Sequence, residues 1–180
     1  MNFKDIVKAH EEDEVSKLTT EELRSVLHYN PDTGIFTWVG KGHKRRASAI
    51  AGGVIKDGYV GIRINYVRYL AHRLAWLYTY NKWPDKPIDH INGDPKDNRI
   101  INLREATDSE NQRNSKRRKD NVSGIKGVAW NNSKKKWQAL IRANYKAIFV
   151  GYYDDINEAA RAVRAAREKH HGKFANHGTN

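Results

Sequence analysis

The sequence predicts an α+β protein made of short strands and short helices in two small modules. Three observations indicate this class: apolar and polar residues alternate in short runs, turn residues separate these runs, and helical segments begin at capping boxes. A length of 180 residues accommodates one or two small domains. We expect a polar N-terminal arm at 1–18, a first module at 19–115, a basic linker at 116–122 and a second module at 123–177.

The first module is expected to start with a helix followed by a strand. Thr19 and, three residues later, Glu22 form a capping-box pattern that predicts a short helix reaching Leu27. Residues 30–34 have the composition of a turn, and residues 35–39 alternate as a strand does.

The middle of the first module combines a loop, a hairpin and a helix. Residues 40–48 are basic and contain glycine, which favours a loop. Residues 54–64 predict a hairpin, because Asp57 and Gly58 supply the positive φ that a tight turn requires. Leucines spaced for one apolar face then predict a helix over residues 69–80.

The second module has the pattern of a small sheet and one long helix. Strand-like runs occur at 127–130, 137–143 and 147–153. A helix rich in alanine follows Asp155 and stops at Gly172, and its small side chains allow it to lie close to a sheet. We therefore expect a small three-stranded antiparallel sheet packed on one helix.

Composition narrows the classes of function. The formal net charge is +12 and the isoelectric point is near 9.8, which predicts a polyanionic partner, with nucleic acid as the default. No apolar run is long enough to cross a bilayer and the N-terminus lacks a signal-peptide pattern, so we expect no membrane association and a cytoplasmic location. The absence of cysteine excludes disulfides and thiolate zinc sites, so no structural zinc is expected.

A short stretch of the first module carries side chains that suit metal-assisted hydrolysis. Asp89 and Asn111 can hold a hard divalent cation through oxygen atoms, and a capping-box pattern at 107–110 places Asn111 on a helix. His90 can take a proton from water, and Asn102 can fix the imidazole by hydrogen bonding. The same residues also fit ordinary turn and cap positions, so spacing alone leaves the catalytic and the structural interpretation open.

Several motifs of the first module resemble those of the HNH endonucleases of the phage and homing type. The matching stretches are Tyr29–Gly34, Ala71–Trp76, Trp83–Pro84, Ile88–Asp94, Asp97–Arg99, Asn102–Arg104, Ala106–Thr107 and Asn111. The resemblance implies a ββα-metal (His-Me finger) fold with a catalytic core at about 66–115.

The resemblance also implies a role for each candidate residue. Asp89 and Asn111 would bind one divalent ion per active site, Mg²⁺ or Mn²⁺. His90 would activate water, and Asn102 would orient His90. Many relatives carry histidine at the position of Asn111, and asparagine still offers an oxygen ligand, so we expect activity to be retained.

Basic and aromatic residues are interleaved in the second module and its linker. Alternate residues of a strand share a face, and a three-stranded sheet can enter the major groove with basic side chains on phosphates. The candidate DNA-binding residues are Lys126, Trp130, Lys136, Gln138 and Arg142 in the module and Lys116, Arg117 and Arg118 in the linker. A small domain with an ordinary solvated face is the alternative.

The second module resembles the Apetala-type (ethylene-responsive-factor) DNA-binding domain. The matching stretches are Ser123–Val128, Lys136–Arg142, Val150–Tyr153 and Glu158–Ala160, with further matches at Ala165–Ala166, His171–Gly172 and Phe174–Ala175. By resemblance, Lys126 and Arg142 occupy DNA-contacting strand positions. Ala129, Asn131 and Leu140 depart from the family pattern, so its target sequence does not transfer to this chain.

Together these patterns predict a metal-dependent DNA endonuclease of the HNH family, of phage or homing type, targeted to double-stranded DNA by its second module. A catalytically inactive, sequence-specific DNA-binding regulator is the alternative. An RNA-binding protein is a third hypothesis, which only the positive net charge supports. We expect a monomer in solution. One active site per chain predicts nicking, or double-strand cutting by dimers or by sequential nicks.

Overall fold

A computed structural model describes residues 18–40, 49–118 and 120–178. The predicted arm at 1–18, except its last residue, and most of the predicted loop at 40–48 lie outside these residues. The described residues form a mixed α+β structure with several small antiparallel sheets, so the predicted class is confirmed. None of the helices in this part of the chain is long and apolar enough to cross a membrane.

The elements, in chain order, are α1 (Thr20–Val26), β1 (Leu27–Asn30), β2 (Ile35–Trp38), β3 (Gly53–Val54), β4 (Val60–Ile64), β5 (Val67–Leu70), α2 (Ala71–Tyr80), β6 (Ile88–His90), β7 (Leu103–Glu105), α3 (Asp108–Arg113), β8 (Val128–Asn131), β9 (Lys136–Ala143), β10 (Lys146–Tyr153) and α4 (Ile156–His171), with short 3-10 helices at Ile100–Asn102 and Gly172–Phe174.

The predicted capping box begins α1. The Thr19 hydroxyl accepts a hydrogen bond from the backbone N–H of Glu22 at 3.1 Å, and the Glu22 carboxylate accepts one from the backbone N–H of Thr19 at 2.8 Å. The helix ends at Val26, because Leu27 takes an extended conformation and starts β1 instead of continuing the helix as predicted. β1 pairs antiparallel with β2 across a turn in which Gly34 has a φ of +71°.

The predicted hairpin around Gly58 is present as β3 and β4, and β5 extends it to a three-stranded antiparallel sheet. The turn between β4 and β5 holds Asn65 and Tyr66 at φ values of 46° and 67°, a geometry that Asn-Gly usually signals. The helix predicted over 69–80 starts only at Ala71, because the two residues before it pair with β4.

β6 and β7 form a two-stranded antiparallel sheet that carries candidate active-site residues. Asp89 lies opposite Arg104 in this pair, and His90 lies opposite Leu103. α3 follows directly and begins with the predicted capping box at 107–110. The order of two strands and a helix agrees with the order that the resemblance implied, and the ββα-metal arrangement itself stays a prediction.

The second module contains a three-stranded antiparallel sheet in the order β10-β9-β8 with α4 packed on one face. The alternation predicted for β9 is present, since Ala139 and Ile141 are buried and Arg142 is exposed. Ala159 and Val163 of α4 are completely buried against the sheet. The small alanine side chain allows the close approach that the sequence predicted.

The described residues form two hydrophobic cores, one in each module. The first includes Leu23, Phe36 and Ile62, and the second includes Val128 and Val163. Each module therefore has a core of its own. Burial of one such side chain contributes roughly 1.5–3 kcal/mol to stability.

Candidate active site

Three of the four predicted catalytic or metal-binding residues line one cleft of about 600 Å³: Asp89, His90 and Asn111. β6 supplies the first two residues and α3 supplies the third. Asp89 and His90 are 4% and 6% exposed, whereas Asn111 is partly exposed at the cleft. Residues that are about twenty positions apart in the sequence are thus brought to one place.

The carboxylate of Asp89 is held by two neighbouring side chains. Arg104 donates from Nε to Oδ2 at 2.8 Å, and its Nη2 lies 2.7 Å from the same oxygen. Asn114, the residue after α3, donates from Nδ2 to Oδ1 at 2.9 Å and to Oδ2 at 3.0 Å. A carboxylate oxygen has two acceptor positions, so Oδ1, which receives one donor from the described residues, has one left for a cation.

His90 is adjacent to Asn98, which lies in the stretch Asp97–Arg99 and has no predicted role at the site. Nε2 of His90 lies 3.5 Å from Oδ1 of Asn98, which makes a long hydrogen bond. If Nε2 carries the proton and donates it to Asn98, Nδ1 is the nitrogen that can accept a proton. Burial lowers the pKa of His90 below its ordinary value, while the hydrogen bond to Asn98 acts in the opposite direction. The lowered pKa favours the neutral imidazole that a general base requires.

The N-terminal hairpin supports Asn98. The Tyr29 hydroxyl donates to the carbonyl of Asn98 at 2.8 Å, and Asn98 is buried. Gly34 lies against the same backbone, where an added Cβ would lie 2.6 Å from the carbonyl carbon of Asn98 and 2.5 Å from the nitrogen of Arg99. Only glycine allows this approach, so the resemblance at residues 29–34 has a structural reason.

Asn102 holds the loop that follows His90. Its Oδ1 accepts from the backbone N–H of Asn92 at 3.0 Å, and its Nδ2 donates to the carbonyl of Asp97 at 2.8 Å. In the described part of the chain these contacts replace the predicted direct hydrogen bond between Asn102 and the imidazole of His90. The reason is that the amide of Asn102, the last residue of a short 3-10 helix, is already bonded to Asn92 and Asp97 of the loop.

Two further rings pack against His90. His72 of α2 contacts it edge-to-face with ring centroids 5.1 Å apart, and the Tyr59 centroid lies 5.9 Å away. Nδ1 of His72 is buried without a hydrogen-bond partner among the described residues. Burial, together with the nearby His90 and Arg73, lowers the pKa of His72 to about 3, so this ring is neutral at pH 7.

The predicted DNA-binding residues of β9 lie where the alternation placed them. Gln138 and Arg142 are on the face of the sheet opposite α4, and the side chain of Arg142 is exposed. Lys136 is on the same strand and forms an ion pair with Asp154 at 2.8 Å. Because its partner is an exposed carboxylate, Lys136 is held only weakly.

Two other predicted DNA-binding residues lie elsewhere. The ammonium of Lys126 donates to the carbonyl of Arg113 at 3.2 Å and to that of Ser115, so it points into the protein. Burial lowers the pKa of this ammonium to about 8. Trp130 lies opposite Trp137 on the side of the sheet that faces α4, with ring centroids 5.1 Å apart. The carbonyls of Arg113 and Ser115 explain the position of Lys126, and strand alternation explains that of Trp130. The DNA contacts of both residues stay predictions.

An aromatic pair on the outer face of the sheet was not predicted. Phe149 lies opposite Leu140, Tyr152 lies opposite Gln138, and the two rings are 4.9 Å apart. They are 53% and 39% exposed. A register shift between Phe149 and Gly151 brings both rings to one face, whereas simple alternation would separate them.

The linker residues Lys116, Arg117 and Arg118 are exposed. Together with Arg142 they line a second cleft of about 1000 Å³, between α3 and the second module. Lys116 also lines the cleft of Asp89 and His90. The linker thus carries positive charge along both clefts.

Comparison with known proteins identifies the first module. Over 88 residues the chain is 38% identical to Protein 3.8 of Escherichia phage T7, and the match covers 49% of this chain and 72% of the relative. The chain belongs to the family of this phage protein. Residues 69–113 match the HNH endonuclease family, which indicates a nuclease that acts on DNA, and this segment contains all four predicted catalytic and metal-binding residues. No solved structure matches the chain. The HNH match ends at residue 113, so the Apetala-type resemblance of the second module stays a prediction.

Proposed function

We propose that this protein is a DNA endonuclease that hydrolyses phosphodiester bonds in the cleft at Asp89 and His90. The observation that carries the proposal is the convergence of Asp89, His90 and Asn111 in one cleft within the segment that matches HNH endonucleases. Hydrolysis requires an activated water and neutralisation of charge on the phosphate. The cleft contains side chains suited to both tasks.

The residues of the cleft fit one divalent ion, the kind of cofactor that HNH nucleases use. Oδ1 of Asp89 has an acceptor position left, and Asn111, whose side chain carries an amide oxygen, lines the cleft. The described residues contain no cluster of three or more histidine, cysteine, aspartate or glutamate side chains that could hold a metal, so the protein would supply few ligands. Mg²⁺ or Mn²⁺ suits such a site, because Mg²⁺ usually retains waters and binds substrate phosphates. When bound, the ion supplies Lewis-acid polarisation of the phosphate.

The side chains of the cleft would then divide the remaining tasks. Asp89 and Asn111 hold the cation. His90 takes a proton from water at Nδ1, while Asn98 accepts the hydrogen bond from Nε2 and keeps the ring in place. Lys116 lines the same cleft, where its ammonium can contact a phosphate of the bound strand.

We infer that the second module and the linker bind double-stranded DNA. The outer face of the sheet exposes Arg142 beside the aromatic pair of Phe149 and Tyr152. A sheet can enter the major groove, where arginine contacts phosphate or guanine and apolar rings contact thymine methyl groups. The basic residues 116–118 add phosphate contacts that depend on salt concentration. The phage relative makes the cytoplasm of an infected host the expected place of action.

One observation favours a second candidate, a DNA-binding protein without catalytic activity. The guanidinium of Arg104 neutralises the carboxylate of Asp89, with Nη2 and Oδ2 2.7 Å apart. A neutralised carboxylate attracts a cation less strongly. Cleavage therefore has to be measured directly.

The test is cleavage of supercoiled plasmid in Mg²⁺, Mn²⁺ or EDTA by the wild-type chain, by His90→Ala and by His28→Ala. His28 is an exposed histidine of β1 and serves as the matched control. We expect metal-dependent cutting by the wild type and the control, and a loss of roughly 100-fold or more in His90→Ala, the usual contribution of a general base. Open circles would indicate nicking, and linear DNA would indicate double-strand cutting.

DNA binding in EDTA separates the two candidates. Binding without any cleavage by the wild-type chain would favour the inactive DNA-binding protein. Equal losses of binding and cleavage in His90→Ala would contradict the assignment of His90 as the base.

A further inference from the structure

We propose that the C-terminal segment, residues 172–177, positions the carboxylate of Asp89 for its cation, and that Asn176 is the main positioning residue. The inference rests on the proposed function, because it concerns the same cation. The segment follows α4 directly and therefore belongs to the second module. It nevertheless contacts both side chains that hold Asp89.

Asn176 reaches Asp89 through one intermediate side chain. Nδ2 of Asn176 donates to Oδ1 of Asn114 at 3.1 Å and to the backbone carbonyl of Asn114 at 2.9 Å. Nδ2 of Asn114 then donates to the carboxylate of Asp89 at 2.9 and 3.0 Å. Asp89, Asn114 and Asn176 are 4%, 6% and 7% exposed, so bulk water competes little for these bonds.

In this series of hydrogen bonds, donors and acceptors can be assigned by starting from one backbone N–H. Gly178 donates its backbone N–H to Oδ1 of Asn176 at 2.7 Å, which leaves the NH₂ group of Asn176 facing Asn114. The oxygen of Asn114 must accept from that group, so its own NH₂ faces Asp89 and the carbonyl of His90, both of which only accept. A reversed Asn114 amide would place its oxygen against the carboxylate. Asn176 thus reinforces the orientation in which the NH₂ group of Asn114 meets Asp89.

The same segment also holds Arg104, the other neighbour of Asp89. The guanidinium carbon of Arg104 lies 3.8 Å from the ring centroid of Phe174, within cation–π range. Nη1 of Arg104 donates to the carbonyl of Lys173 at 2.5 Å, while Nε donates to Asp89. Both side chains that orient the carboxylate are therefore fixed by residues of the C-terminal segment.

Groups that orient a metal ligand from behind commonly contribute 10- to 100-fold to metal affinity or activity. We therefore expect the second module to set how tightly the HNH cleft binds its cation. An amide that no longer faces Asp89 would leave the carboxylate less well oriented, without removing any ligand of the cation.

The experiment measures binding of Mn²⁺ alone by electron paramagnetic resonance to full-length chains. The variants are Asn176→Leu, which keeps a similar volume without a donor, and Asn176→Ala, which removes the same donor with a smaller side chain. The matched control is Asn121→Leu, since the Asn121 amide also donates to two carbonyls, those of Ile125 and Val128, at 3.1 and 3.2 Å. We expect the Kd for Mn²⁺ to rise about 10-fold in both variants and to stay unchanged in the control.

The half-saturating Mn²⁺ concentration for plasmid cleavage should rise in parallel, while DNA affinity in EDTA stays at the wild-type value. Asn176→Ala keeps the test valid if Asn176→Leu does not fold. Wild-type Mn²⁺ affinity in the folded variants would overturn the positioning role alone. A wild-type chain that neither binds Mn²⁺ nor cuts DNA would overturn the proposed function and this inference with it.

Discussion

Protonation of His72 should couple the stability of the first module to pH. The ring is 5% exposed and packs between Tyr59 and His90, at centroid distances of 5.2 and 5.1 Å. Arg73, and His90 when it is protonated, both disfavour a positive charge on His72. Burial is the largest cause that lowers the pKa of His72 to about 3.

The sign of this pH dependence follows from the pKa of His72 in the folded and in the unfolded chain. In the unfolded chain His72 titrates near 6.5, so on acidification the unfolded chain takes up the proton first. The stability that the neutral ring contributes is fully present above pH 6.5 and is lost as the pH falls toward 3. At about 1.4 kcal/mol per pKa unit, we expect a loss of about 3 kcal/mol between pH 7.5 and 4.5, and of about 4 kcal/mol by pH 3.

Urea unfolding of the wild type and His72→Phe at pH 7.5 and 4.5 measures this loss. Phenylalanine keeps a ring beside His90, removes the titration and also removes the unpartnered Nδ1. Other histidines and carboxylates titrate in both chains, so the difference between the chains isolates His72. We expect the wild type to lose about 2–3 kcal/mol more than the variant on acidification. Parallel losses in the two chains would refute the conclusion that burial keeps His72 neutral.

Two further predictions concern catalysis and DNA binding. Asn98→Ala should lower the cleavage rate by roughly 10-fold with unchanged DNA binding in EDTA, because His90 loses its ring partner; an unchanged single-turnover rate would contradict this role. Arg142→Ala should weaken binding to target DNA more than cleavage of non-specific plasmid, and should reduce the slope of binding against salt by about 1 if Arg142 contacts a phosphate. Arg63→Ala, which removes an exposed charge from β4, is the control, and an equal effect of both variants would mean that charge alone matters.

Local signals in the sequence were reliable where the cause is local. The capping boxes at Thr19 and Thr107 form because donor and acceptor lie three residues apart. The alternation of β9 identified the buried face, because successive strand residues point to opposite sides. The start of α2 was predicted two residues early, since the turn at Asn65 and Tyr66 lacks the glycine that commonly signals a hairpin.

The sequence by itself therefore determined the α+β class, the two modules' elements and the stretch that carries Asp89, His90 and Asn111. Only the tertiary structure decided what surrounds these residues. Asn98, near His90, is contacted by Tyr29, which lies 69 positions away in the sequence. Asn176 reaches Asp89 through Asn114, which lies 62 positions away. No local pattern encodes such contacts, because they depend on how separate elements pack and on which hydrogen-bonding groups that packing leaves facing each other.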